Sequence, residues 1–132
     1  MASVHREIQL DRRPEEVWAA VRDVGAVHTQ LAIGFVVDTN FEADVRTITF
    51  ADGMVVQERV VSIDEPNRRL AYTAAGGGLG STHHHASMQV VPDVSGSRLI
   101  WITDVLPDRL AEPIGSRVEQ GLEAIKRTLD PA

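Results

Sequence analysis

The chain has no cysteine. A disulfide framework, a thiolate zinc site and a cysteine nucleophile are therefore excluded. It also lacks basic excess, with 13 Lys and Arg against 19 Asp and Glu and a net charge of -6. A protein that grips DNA or RNA displaces counterions with a basic face, so nucleic acid is not an expected partner. The same acidity argues against docking on anionic lipid. No apolar run approaches the roughly 18–20 residues that cross a bilayer, so no membrane insertion is expected. Arg6 and Glu7 follow the start closely with no apolar stretch behind them, which gives no sign of a secretory signal and leads us to expect a cytoplasmic protein. Aromatic residues are scarce, at 5%.

What is present suits one ordinary folded domain, residues 1–132, with 43% hydrophobic residues. Roughly two-thirds of the surface of such a chain can be buried on folding, so a core can form unaided. Val4, Ile8 and Leu10 alternate with polar residues and predict a strand over Ser3–Leu10. Asp11 as N-cap, Pro14 in the first turn and Glu15-Glu16 predict a helix start. Val17, Trp18, Val21 and Val24 form its apolar stripe, and Gly25 can stop it. A second short helix or turn is expected over Ala26–Ile33. Period two then returns, predicting strands over Phe35–Phe41, Val45–Phe50, Met54–Ile63, Arg69–Ala75, Thr82–Val91 and Arg98–Val105. Turn-formers such as Asp52-Gly53 and Pro92-Asp93 separate them, so neighbouring antiparallel strands are expected. Gly76-Gly77-Gly78-Leu79-Gly80 reads as a mobile loop. After Glu112-Pro113, the residues Ile114, Val118, Leu122, Ile125 and Leu129 lie along one helical face until Asp130-Pro131.

This order predicts an α+β fold in which one face of an antiparallel sheet is covered by the final helix. A sheet rich in valine, alanine and glycine and poor in aromatics can leave a hollow, although close packing is the rule. A filled core and a cavity both stay open at this point.

Asp11-Arg12-Arg13-Pro14-Glu15-Glu16-Val17-Trp18 resembles the opening motif of the START-like, or Bet v 1-like, helix-grip superfamily. So do Asp52-Gly53, Gln57-Glu58-Arg59-Val60-Val61, and Asp64-Glu65-Pro66-Asn67-Arg68-Arg69-Leu70-Ala71-Tyr72. The same spacing recurs in its bacterial polyketide cyclase/dehydrase-like branch and in the plant abscisic-acid receptors. The resemblance runs from Val4 to Leu129. It implies a curved antiparallel sheet around a long C-terminal helix, with two short helices after the first strand and a cavity for a hydrophobic guest. There are departures. Gln30 stands where a tryptophan is frequent, and no lysine or arginine lies between Asp23 and Asp44. An abscisic-acid-type carboxylate pocket is not expected.

Several residues could serve such a cavity. Alternation puts Val56, Glu58, Val60 and Ser62 on one strand face, and the resemblance turns that face inward. His83-His84-His85 is an internal run; Ala86, Met88 and Val90 make the face of His84 the more apolar one, so His84 is aimed inward. His83 and His85 share the other face but find no third ligand, and no metal and no cofactor are expected. Ile100, Ile102 and Asp104 are read as inward, leaving Trp101 and Thr103 outside. His28 is placed at one end of the cavity and Leu79 at the tip of a glycine lid. Three functions remain open. One is binding of a lipid, polyketide-like compound or aromatic, walled by Val56, Val60, Ala86, Met88, Ile100 and Ile102 and oriented by Glu58, His84 and Asp104. The second is a cyclase or dehydratase in which His84 removes a proton and Glu58 or Asp104 returns one. The third is an interaction protein with a filled core, with Trp101 as a homodimer contact.

Overall fold

The computed structural model describes residues 2–130. Its seven strands form one curved antiparallel sheet: β1 (Ala2–Leu10), β2 (Val36–Glu42), β3 (Val45–Phe50), β4 (Val55–Asp64), β5 (Arg69–Gly77), β6 (His83–Asp93) and β7 (Gly96–Leu106). The spatial order is β1-β7-β6-β5-β4-β3-β2. Strands β2 to β7 are a meander, because each separator is a short turn. Between β2 and β3, Ala43 and Asp44 both adopt left-handed backbone, at φ 52° and 64°, the twist that a two-residue hairpin loop needs. The first strand then pairs with the last, which leaves β1 and β2 as the sheet edges.

Two helical pieces carry the chain from the β1 edge to the β2 edge. Helix α1 (Pro14–Arg22) starts with Pro14 at its first turn and Glu15 and Glu16 beside its positive end. The N-cap is Arg13, and no side chain caps it. Asp11, expected to do so, instead donates its backbone N–H to the Asp130 carboxylate at 2.7 Å and ties β1 to the end of the chain. A π-helical turn (Val27–Leu31) follows.

Helix α2 (Ala111–Leu129) lies across the concave face of the sheet, entered through a 3-10 turn (Asp108–Leu110). Its stripe of Val118, Leu122, Ile125 and Leu129 is buried, as the spacing predicts. Each such side chain contributes about 1.5–3 kcal/mol of burial. The core joins this stripe to Val17, Trp18 and Val21 of α1 and to Leu70, Met88, Val90 and Leu99 of the sheet.

Three expectations are corrected here. Gly76 and Gly77 belong to β5, opposite Gln57 and Val56, so the connector is shorter than the glycine run. Ser62 is exposed, because Val61 is an extra residue between the pairs Val60–Tyr72 and Ser62–Ala71. The inward face of β7 is the opposite one. Antiparallel partners point to the same side, and Ala86 faces Thr103 while Met88 faces Trp101. Leu99, Trp101, Thr103 and Val105 therefore look into the fold. Ile100, Ile102 and Asp104 lie on the convex side opposite Glu7, His5 and Ser3.

Candidate functional site

Between the sheet and the first half of α2 there is a cavity of about 120 Å³. Its walls are largely apolar: Phe35, Phe50, Met54, Val56 and Leu79 on one side, Ile114 and Val118 of α2 on the other. Gly76, Gly77 and Gly78 form its rim. Gly77 is required there: its φ is +71°, and a Cβ would sit 2.5 Å from the Val55 carbonyl oxygen. A smaller chamber of about 50 Å³ lies deeper, reached by Val27, Leu31, Met88 and Ile125. Phe35, Phe50, Glu58, Tyr72 and Trp101 border both spaces.

The polar groups converge where the two spaces meet. Arg46 and Glu58 are directly opposed on β3 and β4. The Arg46 Nε donates to Glu58 Oε1 at 2.8 Å, with the two side chains only 4% and 14% exposed. The guanidinium carbon lies 4.8 Å from the centre of the Tyr72 ring, a cation–π contact that helps to hold a charge out of water. The Tyr72 hydroxyl accepts from the Trp101 Nε1 at 3.0 Å. Burial, and secondarily the nearby Glu58, push the Tyr72 phenol well above its ordinary range, so it stays a neutral O–H.

His84 sits where the sheet splits. The β5–β6 ladder runs only from Arg69–Gln89 to Tyr72–Ala86, and past that point the two strands part. His84 bridges the gap. Its Nδ1 accepts the Ala74 backbone N–H at 3.0 Å, and its carbonyl accepts the Thr73 hydroxyl. Burial holds the imidazole below its usual range, with His85 and His83 adding to the effect and Glu58 opposing it. A neutral ring that accepts at Nδ1 carries its proton on Nε2. His84 is thus a hydrogen-bond donor beside the cavity.

The residues singled out in the sequence are placed as follows. Val56, Glu58, Leu79 and His84 line the outer cavity, and Met88 lines the deeper chamber. Val60 is half-buried against the core, and Ala86 is fully buried under it. His28 does not reach either space: its Nδ1 lies 3.1 Å from the Thr39 Oγ1, because the π-helical turn points Val27 and Leu31 inward instead. Ile100, Ile102 and Asp104 are on the convex face, where Asp104 accepts from Ser3 at 2.5 Å. Trp101, expected outside, is central to the site. Arg46, Tyr72 and Trp101 were not foreseen. The signal for Arg46 was available, since it shares its strand face with Ile48 and Phe50. Among the described residues no three His, Cys, Asp or Glu side chains could hold a metal ion. No helix of the described residues is long and apolar enough to cross a membrane.

Comparison with known proteins gives a consistent result. The model of the family described as polyketide cyclase / dehydrase and lipid transport matches residues 1–130. No match is found among curated proteins. Among solved structures, XoxI from Bacillus cereus is 18% identical, with 98% of this chain and 96% of that one covered and a TM-score of 0.87. A protein from Thermobifida fusca is 27% identical, with 96% and 92% covered and a TM-score of 0.77. Norcoclaurine synthase from Thalictrum flavum, solved with dopamine and hydroxybenzaldehyde, is 20% identical, with 96% and 84% covered and a TM-score of 0.69.

Proposed function

The chain belongs to the polyketide cyclase/dehydrase and lipid transport family, and from that premise we propose that it binds a small hydrophobic molecule between its sheet and α2. One observation carries this reading: a largely apolar cavity with Glu58, Tyr72, Trp101 and His84 gathered along one part of its wall. The guest is single-ring or short-chained. Ligand sites commonly offer roughly 300–1,000 Å³, whereas an apolar void of about 150 Å³ accepts benzene. At about 120 Å³ this cavity is in the second class, and a long acyl chain would first have to displace the glycine rim. A carbonyl or hydroxyl oxygen on the ring would accept from His84 Nε2–H. Norcoclaurine synthase, a relative in fold, was solved with two single-ring aromatic molecules, dopamine and hydroxybenzaldehyde, which supports an aromatic guest.

A second reading, a cyclase- or dehydratase-type enzyme, is favoured by His84 and Glu58 bordering one cavity. The roles would then be reversed from the sequence expectation. His84, with Nδ1 engaged by Ala74, polarises a carbonyl oxygen through Nε2–H without giving up the proton, and Glu58 is the base.

Native mass spectrometry of gently purified protein tests the proposal. We expect a bound small molecule, and benzaldehyde should displace it and shift the Trp101 indole resonance. A protein that carries nothing and leaves that resonance unmoved at millimolar benzaldehyde would overturn it. Turnover abolished by His84→Ala, with benzaldehyde still bound, would favour the enzyme.

A further inference from the structure

The two internal spaces share a border formed by Phe35, Phe50, Glu58, Tyr72 and Trp101, and this border crosses α2 between Val118 and Gly121. The outer cavity touches the helix at Ile114, Arg117 and Val118, the inner chamber at Gly121 and Ile125. Trp101 reaches across from β7 at this boundary. A Cβ on Gly121 would lie 2.9 Å from its ring and 3.3 Å from the ring of Phe35. The missing methyl is what lets the indole rest on the helix backbone. Its other end is fixed by the hydrogen bond to the Tyr72 hydroxyl. The indole thus spans from the sheet to the helix where the outer cavity gives way to the inner chamber.

We infer that Trp101, seated on Gly121, sets the size of the guest: it is the back wall of the binding site and keeps the inner chamber out of use. The inference rests on the binding function proposed above. It is signed, because two substitutions act in opposite directions. Trp101→Leu removes the indole and joins the two spaces. Gly121→Ala adds a methyl where the indole lies, and so pushes the ring outward and shortens the cavity. Interiors are close-packed, so a change of one methyl group is felt.

The test is a series of alkylbenzenes from benzene to hexylbenzene, titrated into each protein and followed by NMR. For the wild type we expect affinity to rise with chain length and then fall once the outer cavity is full. In Trp101→Leu the optimum should move to longer chains, with at least a tenfold gain for the longest members. In Gly121→Ala it should move to shorter ones. A Trp101→Phe variant covers the case in which leucine leaves the protein unfolded, and it should give a smaller shift in the same direction. An optimum left in place by both the Trp101 and Gly121 variants, with binding intact, would overturn the assignment to Trp101 alone. A wild type that takes up no alkylbenzene would overturn the binding function, and the assignment with it.

Discussion

Removing one partner of the Arg46–Glu58 pair is the most direct probe of the site. In Glu58→Ala the guanidinium keeps its place, 4% exposed and stacked on Tyr72, but has no carboxylate. Breaking a buried pair in this way costs about 3–5 kcal/mol, because one charge is left in a medium of low polarity. For a chain of this length each kcal/mol lowers the melting temperature by about 3–5 °C, so a fall of roughly 10–25 °C is expected. Arg46→Met/Glu58→Leu removes both charges and should return to within about 1–2 kcal/mol of the wild type, or exceed it. Urea unfolding of the wild type, both single variants and the double variant gives the coupling energy directly. A loss under about 1 kcal/mol in Glu58→Ala would mean that water reaches the guanidinium through the cavity mouth. The dry polar floor on which the binding proposal depends would then not exist.

Other consequences follow from named contacts. His84 has its pKa held below the ordinary 6.5 by burial, so the unfolded chain takes up its proton first. Stability should therefore be full above pH 6.5 and decline as pH falls toward the folded-state value, and urea midpoints measured in a His84→Asn variant should lack that part of the slope. Gly77→Ala forces a side chain into left-handed backbone against the Val55 carbonyl, and about 1–3 kcal/mol should be lost in the same assay. Asp104→Ala lies on the convex face, so benzaldehyde affinity should be unchanged; a tenfold loss would mean that the register of β7 is wrong.

The elements were legible because period two, period 3.6 and the turn-formers agree along nearly the whole chain. The faces were harder to read. β7 carries apolar residues on both faces, with Ile100 and Ile102 on the convex side and Leu99, Trp101 and Val105 on the concave one, so hydrophobicity alternates weakly along its sequence even though burial alternates. On hydrophobicity alone Ile100 and Ile102 outrank Trp101 and Thr103. What decides the matter is parity: once Ala86 and Met88 face inward, their partners Thr103 and Trp101 must do so too. The inward side chain of Arg46 is hidden for a related reason. A lone arginine is most often exposed, and only the strand opposite supplies the carboxylate that makes its burial tolerable. The split between β5 and β6, and with it the tautomer of His84, depends on where a ladder stops, which no local pattern encodes.

The charge at the inner end of the cavity selects among guests of equal size. Arg46 and Glu58 cancel, and His84 and Tyr72 are neutral, so the inner end has no net charge to offer; at the outer end Arg117 is paired with Asp52. A bound carboxylate would lose its hydration and meet Glu58 at short range, while an ammonium would meet Arg46. A neutral oxygen loses little hydration and still accepts from His84 Nε2–H. Benzaldehyde should therefore bind more tightly than benzoate by at least about tenfold, which is about 1.4 kcal/mol. Competition for the same Trp101 resonance measures the ratio. Benzoate binding as well as benzaldehyde would require a guanidinium to leave its carboxylate for the ligand, either Arg46 from Glu58 or Arg117, which lines the outer cavity, from Asp52. Benzoate affinity lost in Arg46→Met would make the floor of the cavity an anion receptor, whereas affinity lost in Arg117→Met instead would place the anion at the outer end and leave the floor neutral.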